Sequence, residues 1–155
     1  MAEATSRAGE PVERWRLAAL GIFAFGSVGL LGEMILLEHH DSNQQWIPII
    51  VLALGLAVSA ALLCKAKSQG RIDSGWRGAR SLIAVSWIYL TAAPLGVFFH
   101  TKGNLEFEQE LRPNAGGLEH FTEALFGAFP ALAPGALAAL GLVGLLVTMR
   151  KETAS

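Results

Sequence analysis

A single cysteine, Cys64, stands in 155 residues, so an internal disulfide is excluded and the fold must hold by packing. We read Cys64 as a small apolar residue near a helix end, the usual behaviour of a free cysteine. Charge is scarce as well: 16% of residues are Asp, Glu, Lys or Arg, against about 25% in average soluble domains. The net charge is −1, and no basic cluster is interleaved with aromatics, so nucleic acid is not an expected partner. Catalytic signatures are missing too. There is no HExxH, no cysteine pair, no Glu-x-x-His pair and no Gly-rich loop of the phosphate-cradling kind. No serine or threonine has a His and an acid at motif spacing, so an enzyme is the less favoured class.

What the chain does have is long apolar runs. Hydrophobic residues make up 52% of it and the mean hydropathy is +0.44. Nearly uncharged stretches of about 18 residues or more can cross a hydrocarbon core of roughly 30 Å. Four are present: Leu17–Leu37, broken only by Glu33; Ile47–Cys64, entered through Trp46 and with Pro48 in its first turn; Ser81–Phe99, with Pro94 inside; and Ala131–Met149, after Pro130. The expected fold is all-α, a four-helix transmembrane bundle over residues 17–149, flanked by a segment 1–16 and a tail 150–155. Pro94 is compatible with a membrane helix and predicts a kink.

The leader Met1–Arg16 mixes Glu3, Glu10 and Glu13 with Arg7, Arg14 and Arg16, and the apolar run after it exceeds that of a cleaved signal. The first helix is therefore expected to be retained. Orientation follows from Lys and Arg. With the N-terminus in the cytoplasm, Arg7, Arg14, Arg16, Lys65, Lys67, Arg71, Arg77, Arg80, Arg150 and Lys151 lie inside, and only Lys102 and Arg112 lie outside. This bias predicts an inner-membrane, multi-pass protein with both ends cytoplasmic.

The outer loops are acidic. Glu38 and Asp41 are in the first; Glu106, Glu108, Glu110, Glu119 and Glu123 are in the second, His100–Pro130, which is too long for a plain connector. Within it Leu118, Phe121 and Leu125 form an apolar stripe opposite Glu119 and Glu123. That pattern predicts a short amphipathic helix over Gly117–Phe126, on the outer membrane surface or capping the bundle. A weaker pattern covers Asn104–Leu111.

Helices in lipid associate through small residues and polar contacts. Candidate inward stripes are Gly26, Gly29, Glu33, Leu36 and His40 in the first span; Gly55 and Ser59 in the second; Ser86, Tyr89, Ala93, Gly96 and His100 in the third; Ala131, Gly135 and Ala139 in the fourth. Glu33 lies seven residues below His40, about 10 Å into the outer leaflet. Such a residue is expected to face the interior, bonded to Tyr89 or Thr91 and held protonated by desolvation. It is the candidate for a structural hydrogen bond or a proton relay.

All four histidines, His39, His40, His100 and His120, fall on the outer side. His40 and His100 end two stripes that run in one direction. A transition-metal site could combine His40, His100 and His120 with Glu38, Asp41 or Glu119, since imidazole and carboxylate suit zinc, copper or iron. Haem is the other cofactor such histidines could hold. A polar membrane interface accounts for the same residues without any ligand.

Two stretches, His100-Thr101-Lys102-Gly103-Asn104-Leu105-Glu106-Phe107-Glu108 and Pro130-Ala131-Leu132-Ala133-Pro134-Gly135, together with Trp46-Ile47-Pro48, resemble small uncharacterised four-span membrane proteins of bacteria. The resemblance implies the architecture and a bacterial origin, and it transfers no site. Small multidrug transporters also carry a glutamate in the first helix, but the long chain, the large outer loop and the height of Glu33 depart from them. The expected function is that of an accessory or scaffold protein in the bilayer, engaging a membrane-protein partner or another copy through its outer acidic and His-rich face. The alternatives are a metal- or haem-binding protein and a proton-coupled carrier using Glu33.

Overall fold

The structure is a computed structural model and describes residues 2–37, 45–69, 77–126 and 132–149, with side chains from residue 14 onward except those of Gln69 and Arg77. Among them are five helices and no strand: α1 (Ala2–Leu36), α2 (Trp46–Gln69), α3 (Arg77–Leu111), α4 (Gly117–Phe126) and α5 (Leu132–Thr148). Three are long and apolar enough to cross a membrane, over Arg14–Leu36, Trp46–Ser68 and Gly78–Leu111. The fourth apolar helix, α5, is shorter, with 17 residues.

Two helices outrun the hydrophobic stretches that predict them. α1 begins at Ala2, so the mixed-charge leader is helical and continuous with the apolar part. α3 runs unbroken through Pro94 and on to Leu111. Its 35 residues make a rod about 52 Å long. The segment His100–Leu111, expected as part of a loop, is therefore helix. Its Lys102, Glu106, Glu108, Gln109 and Glu110 are good helix formers, and hydropathy marks only where a helix leaves the apolar zone, not where it stops.

α1, α2, α3 and α5 form a ring in which each helix packs against two neighbours, and α4 packs on α3 alone among the described helices. α5 runs antiparallel to both α1 and α3. Its Leu140 lies beside Gly26, its Gly144 beside Phe23 and Ser86, and its Pro134 beside Gly96. Near the end of α5, the Arg16 guanidinium donates to the Met149 carbonyl. A cation there satisfies a carbonyl that the helix leaves open and complements its dipole.

The interior is small and polar at its centre, and the exterior is apolar. Ser27, Ser59, Ser86 and Tyr89 are fully buried. Outward point Ile22, Phe25 and Val28 of α1, Ile50 and Leu54 of α2, Trp87 and Phe98 of α3, and Leu142 and Leu146 of α5. Exposed apolar surface of this extent marks contact with something other than water.

The inward stripes are as expected in α2, where Gly55 and Ser59 are buried, and in α3, where Ser86, Tyr89 and Ala93 are buried. Those of α1 and α5 differ. α1 turns Leu20, Phe23, Ser27 and Met34 inward, while Gly29, Glu33 and Leu36 are exposed. α5 buries Pro134, Leu137, Leu140, Gly141, Gly144 and Val147, and Gly135 and Ala139 face out. Both helices carry small residues on more than one face, so spacing alone does not single out the packed one.

Candidate functional site

The site lies at the end of the bundle where α3 hands over to α4, and Pro113 helps to build it. Proline disfavours helical backbone in the residue before it and suits the second position of a turn. α3 accordingly ends at Leu111, and Arg112-Pro113-Asn114-Ala115 closes a turn with the Ala115 N–H donating to the Arg112 carbonyl at 3.0 Å. The chain then returns as α4 along the upper part of α3.

Arg112 holds this hairpin together. Its Nε and Nη2 donate to Glu108 Oε2, one turn earlier on α3. Its Nη1 reaches Glu119 Oε1 at 3.4 Å, and its Nη2 is 3.7 Å from Glu123 Oε2, both on α4. The hydrogen bond to Glu108 and the surrounding carboxylates hold the Arg112 pKa above its ordinary value. The Arg112 carbonyl also accepts from His120 Nε2 at 2.8 Å, which fixes the proton on that nitrogen because a carbonyl cannot donate. Lower down, Asn104 Nδ2 donates to the Ala124 carbonyl at 3.2 Å. Lys102 and Glu106 form an exposed pair along α3 at 3.6 Å.

His120 and Ala124 are thus the buried face of α4. The expected stripe of Leu118, Phe121 and Leu125 remains exposed. The reason is the partner surface: the turn after α3 offers the Arg112 carbonyl and α3 offers Asn104, which select a hydrogen-bonding residue and a small one.

Below the hairpin lies a chamber of about 340 Å³. Leu30 and Met34 of α1, Pro48 and Leu52 of α2, Ala92, Gly96 and Phe99 of α3, and Ala133, Pro134 and Leu137 of α5 line it. Gln45, His100 and Asn104 stand toward its hairpin end. Deeper in the bundle, the carbonyl of Leu52 accepts from the Tyr89 hydroxyl at 3.4 Å. Tyr89 Oη is also 3.0 Å from Ser27 Oγ, and its ring stacks on Phe23 with centroids 5.2 Å apart.

The described residues among those expected to form a site occupy different places. Tyr89 sits at the centre of the bundle and His100 lines the chamber. His120 and Glu119 are engaged in the hairpin, the one to Arg112 O and the other to the Arg112 guanidinium. Glu33 does not meet Tyr89: it is exposed on α1, and the tyrosine hydroxyl is taken up by Ser27 and Leu52. Thr91 bonds to the Trp87 and Ile88 carbonyls of its own helix. Glu38, His40 and Asp41, together with His39, lie outside the described residues. Among the described residues no group of three or more His, Cys, Asp or Glu is placed to hold a metal.

Sequence reasoning passes over Arg112, Asn104 and Ser27. The Arg-Pro-Asn turn signal was available for the first. Asn104 and Ser27 carry no motif and are legible only once α3 and α1 are placed. No family model, curated protein or solved structure matches this chain.

Proposed function

We propose that this chain is a non-enzymatic accessory protein of a bacterial inner membrane, crossing it four times with both ends in the cytoplasm. Its outer hairpin, the upper part of α3 with α4, is the surface that engages a membrane-protein partner. The reading of α5 as a fourth span is supported by its lack of Asp, Glu, Lys and Arg and by its packing along both α1 and α3. A helix that lies alongside two spanning helices at the depth of Tyr89 shares their surroundings. The orientation rests on the distribution of Lys and Arg.

The observation that carries the docking reading is the exposure of large apolar side chains on a braced polar hairpin. Phe107 is 61% exposed, Leu111 62%, Leu118 78% and Phe126 77%. α3 rises about 16 Å beyond His100 before it turns, which lifts Leu111 and Leu118 away from the hydrocarbon boundary. Apolar groups at that height suit a protein surface more than lipid. Glu106 and Glu110 also lie on this segment, so the fitting partner presents an apolar groove edged with Lys or Arg.

Affinity purification of the full chain in mild detergent tests the reading. One membrane protein should co-purify with the native chain and be lost with Leu118→Glu together with Phe126→Glu. Recovery of the same chain alone in both cases would contradict it.

A further inference from the structure

The chamber beneath the hairpin has a chemistry that partner docking does not use. Its inner part is aliphatic, with Leu30, Leu52 and Leu137 from three different helices. Among the described lining residues, polar side chains stand only toward the hairpin end, and none is Lys, Arg, Asp or Glu. Loose packing does not account for the space. On the wall formed by α3 and α5 the helices are in close contact, since a Cβ at Gly96 would lie 3.1 Å from Pro134 Cγ. The space persists because Ala92, Gly96 and Ala133 are too small to fill it.

Measured along α3 from Ala92 to Asn104, the chamber is about 18 Å deep. Its volume of about 340 Å³ lies near the lower end of the roughly 300–1,000 Å³ typical of ligand pockets. A long, narrow space of this size admits one extended chain. Among the described lining residues a charged head would find no Lys, Arg, Asp or Glu to pair with, and it would lose its hydration without that compensation.

We propose that the chamber binds an uncharged single-chain amphiphile, its tail among Leu30, Leu52 and Leu137 and its hydroxyl or carbonyl head among Gln45, His100 and Asn104. The proposal is independent of partner docking.

The test uses the full chain in lipid nanodiscs and a dodecanol carrying a diazirine in its tail. Photolabelling should concentrate on α3 between residues 92 and 104 and on the first turns of α5. Unlabelled dodecanol should compete, and dodecyl phosphate should not. Filling the space with Ala92→Leu, or from the opposite wall with Ala133→Leu, should weaken labelling about tenfold or more, the scale set by one methylene in an apolar pocket. Circular dichroism of each variant separates a filled chamber from a lost fold. Should neither variant fold, Asn104→Asp keeps the volume, adds a charge at the outer end and should likewise weaken labelling. Labelling spread evenly onto outward residues such as Phe25 and Trp87, or unchanged by the substitutions, would overturn the proposal. Equal competition by dodecyl phosphate would overturn the assignment of an uncharged head.

Discussion

The hydroxyl groups of Ser27 and Tyr89 lie 3.0 Å apart and join α1 to α3, two helices that sit diagonally across the ring and meet through side chains without close backbone approach. The tyrosine ring stacks on Phe23 of α1 across the same diagonal, and its hydroxyl also reaches the Leu52 carbonyl of α2. In a low-dielectric interior such a bond fixes which helix faces meet more than it adds stability.

A double-mutant cycle of Tyr89→Phe and Ser27→Ala should give a coupling of about 0.6 kcal/mol, the average for such bonds between membrane helices. Tyr89→Phe keeps the stacking on Phe23 and so isolates the hydroxyl. Unfolding in mixed detergent, followed by circular dichroism, measures it. Additive single mutants would show that the pair is not coupled.

The glycines separate into two groups. A Cβ at Gly55 would fall 1.9 Å from Tyr89 Oη, and one at Gly144 would fall 2.2 Å from Ser86 Oγ. Gly55→Ala and Gly144→Ala should each destabilise by about 1–3 kcal/mol, because the atoms they meet belong to fully buried side chains. Gly21 and Gly29 have nothing within 4 Å of the added atom. Alanine at either should stay within about 0.5 kcal/mol of the parent or improve on it. The same unfolding assay ranks all four.

Much of this architecture is legible in the sequence, and the failures have identifiable causes. The stripe of Ser86, Tyr89 and Ala93 could be read because α3 has few other small or polar positions in that stretch. In α1, Gly26, Gly29 and Glu33 share the spacing of Leu20, Phe23 and Ser27, and nothing local tells which set meets a neighbour. Hydropathy marks the apolar zones but is blind to a helix that continues as polar residues, so His100–Leu111 reads as loop where α3 carries on. At the candidate site, the Gly117–Phe126 helix follows from its period, whereas its docking through His120 depends on a carbonyl at the turn after Leu111. The chamber is invisible in sequence, being made of what four separate helices fail to fill.

The hairpin should depend on Arg112 and His120 and on no metal. Arg112→Gln should raise amide hydrogen exchange in Gly117–Phe126 by a few-fold while α1, α2 and α5 stay protected, since the pairs it makes with α4 are half-exposed. His120→Ala should have a larger effect at the same amides, because it also removes a buried donor. A chelator should change neither the exchange pattern nor the stability. Uniform loss of protection throughout the chain would contradict a local brace.

Alkaline pH should leave the hairpin intact. The Arg112 pKa is raised in the folded state by Glu108, Glu123 and Glu119. A raised value means that the stabilisation is complete below the ordinary arginine pKa and is lost only as pH climbs through the higher folded value. Limited proteolysis at Asn114–Gly116 should therefore proceed no faster at about pH 10 than at about pH 7, once protease activity is normalised. Faster cleavage at the higher pH would mean that other groups hold the turn.

The most direct test of partner docking is photocrosslinking in intact cells from a single position on the hairpin. A photoreactive residue at Leu118, which is 78% exposed, should yield one discrete adduct with a second protein. The same residue at outward-facing Phe25 should yield none. An adduct of twice the chain's own mass would make this face a self-interface, and no protein adduct from Leu118 would contradict docking altogether.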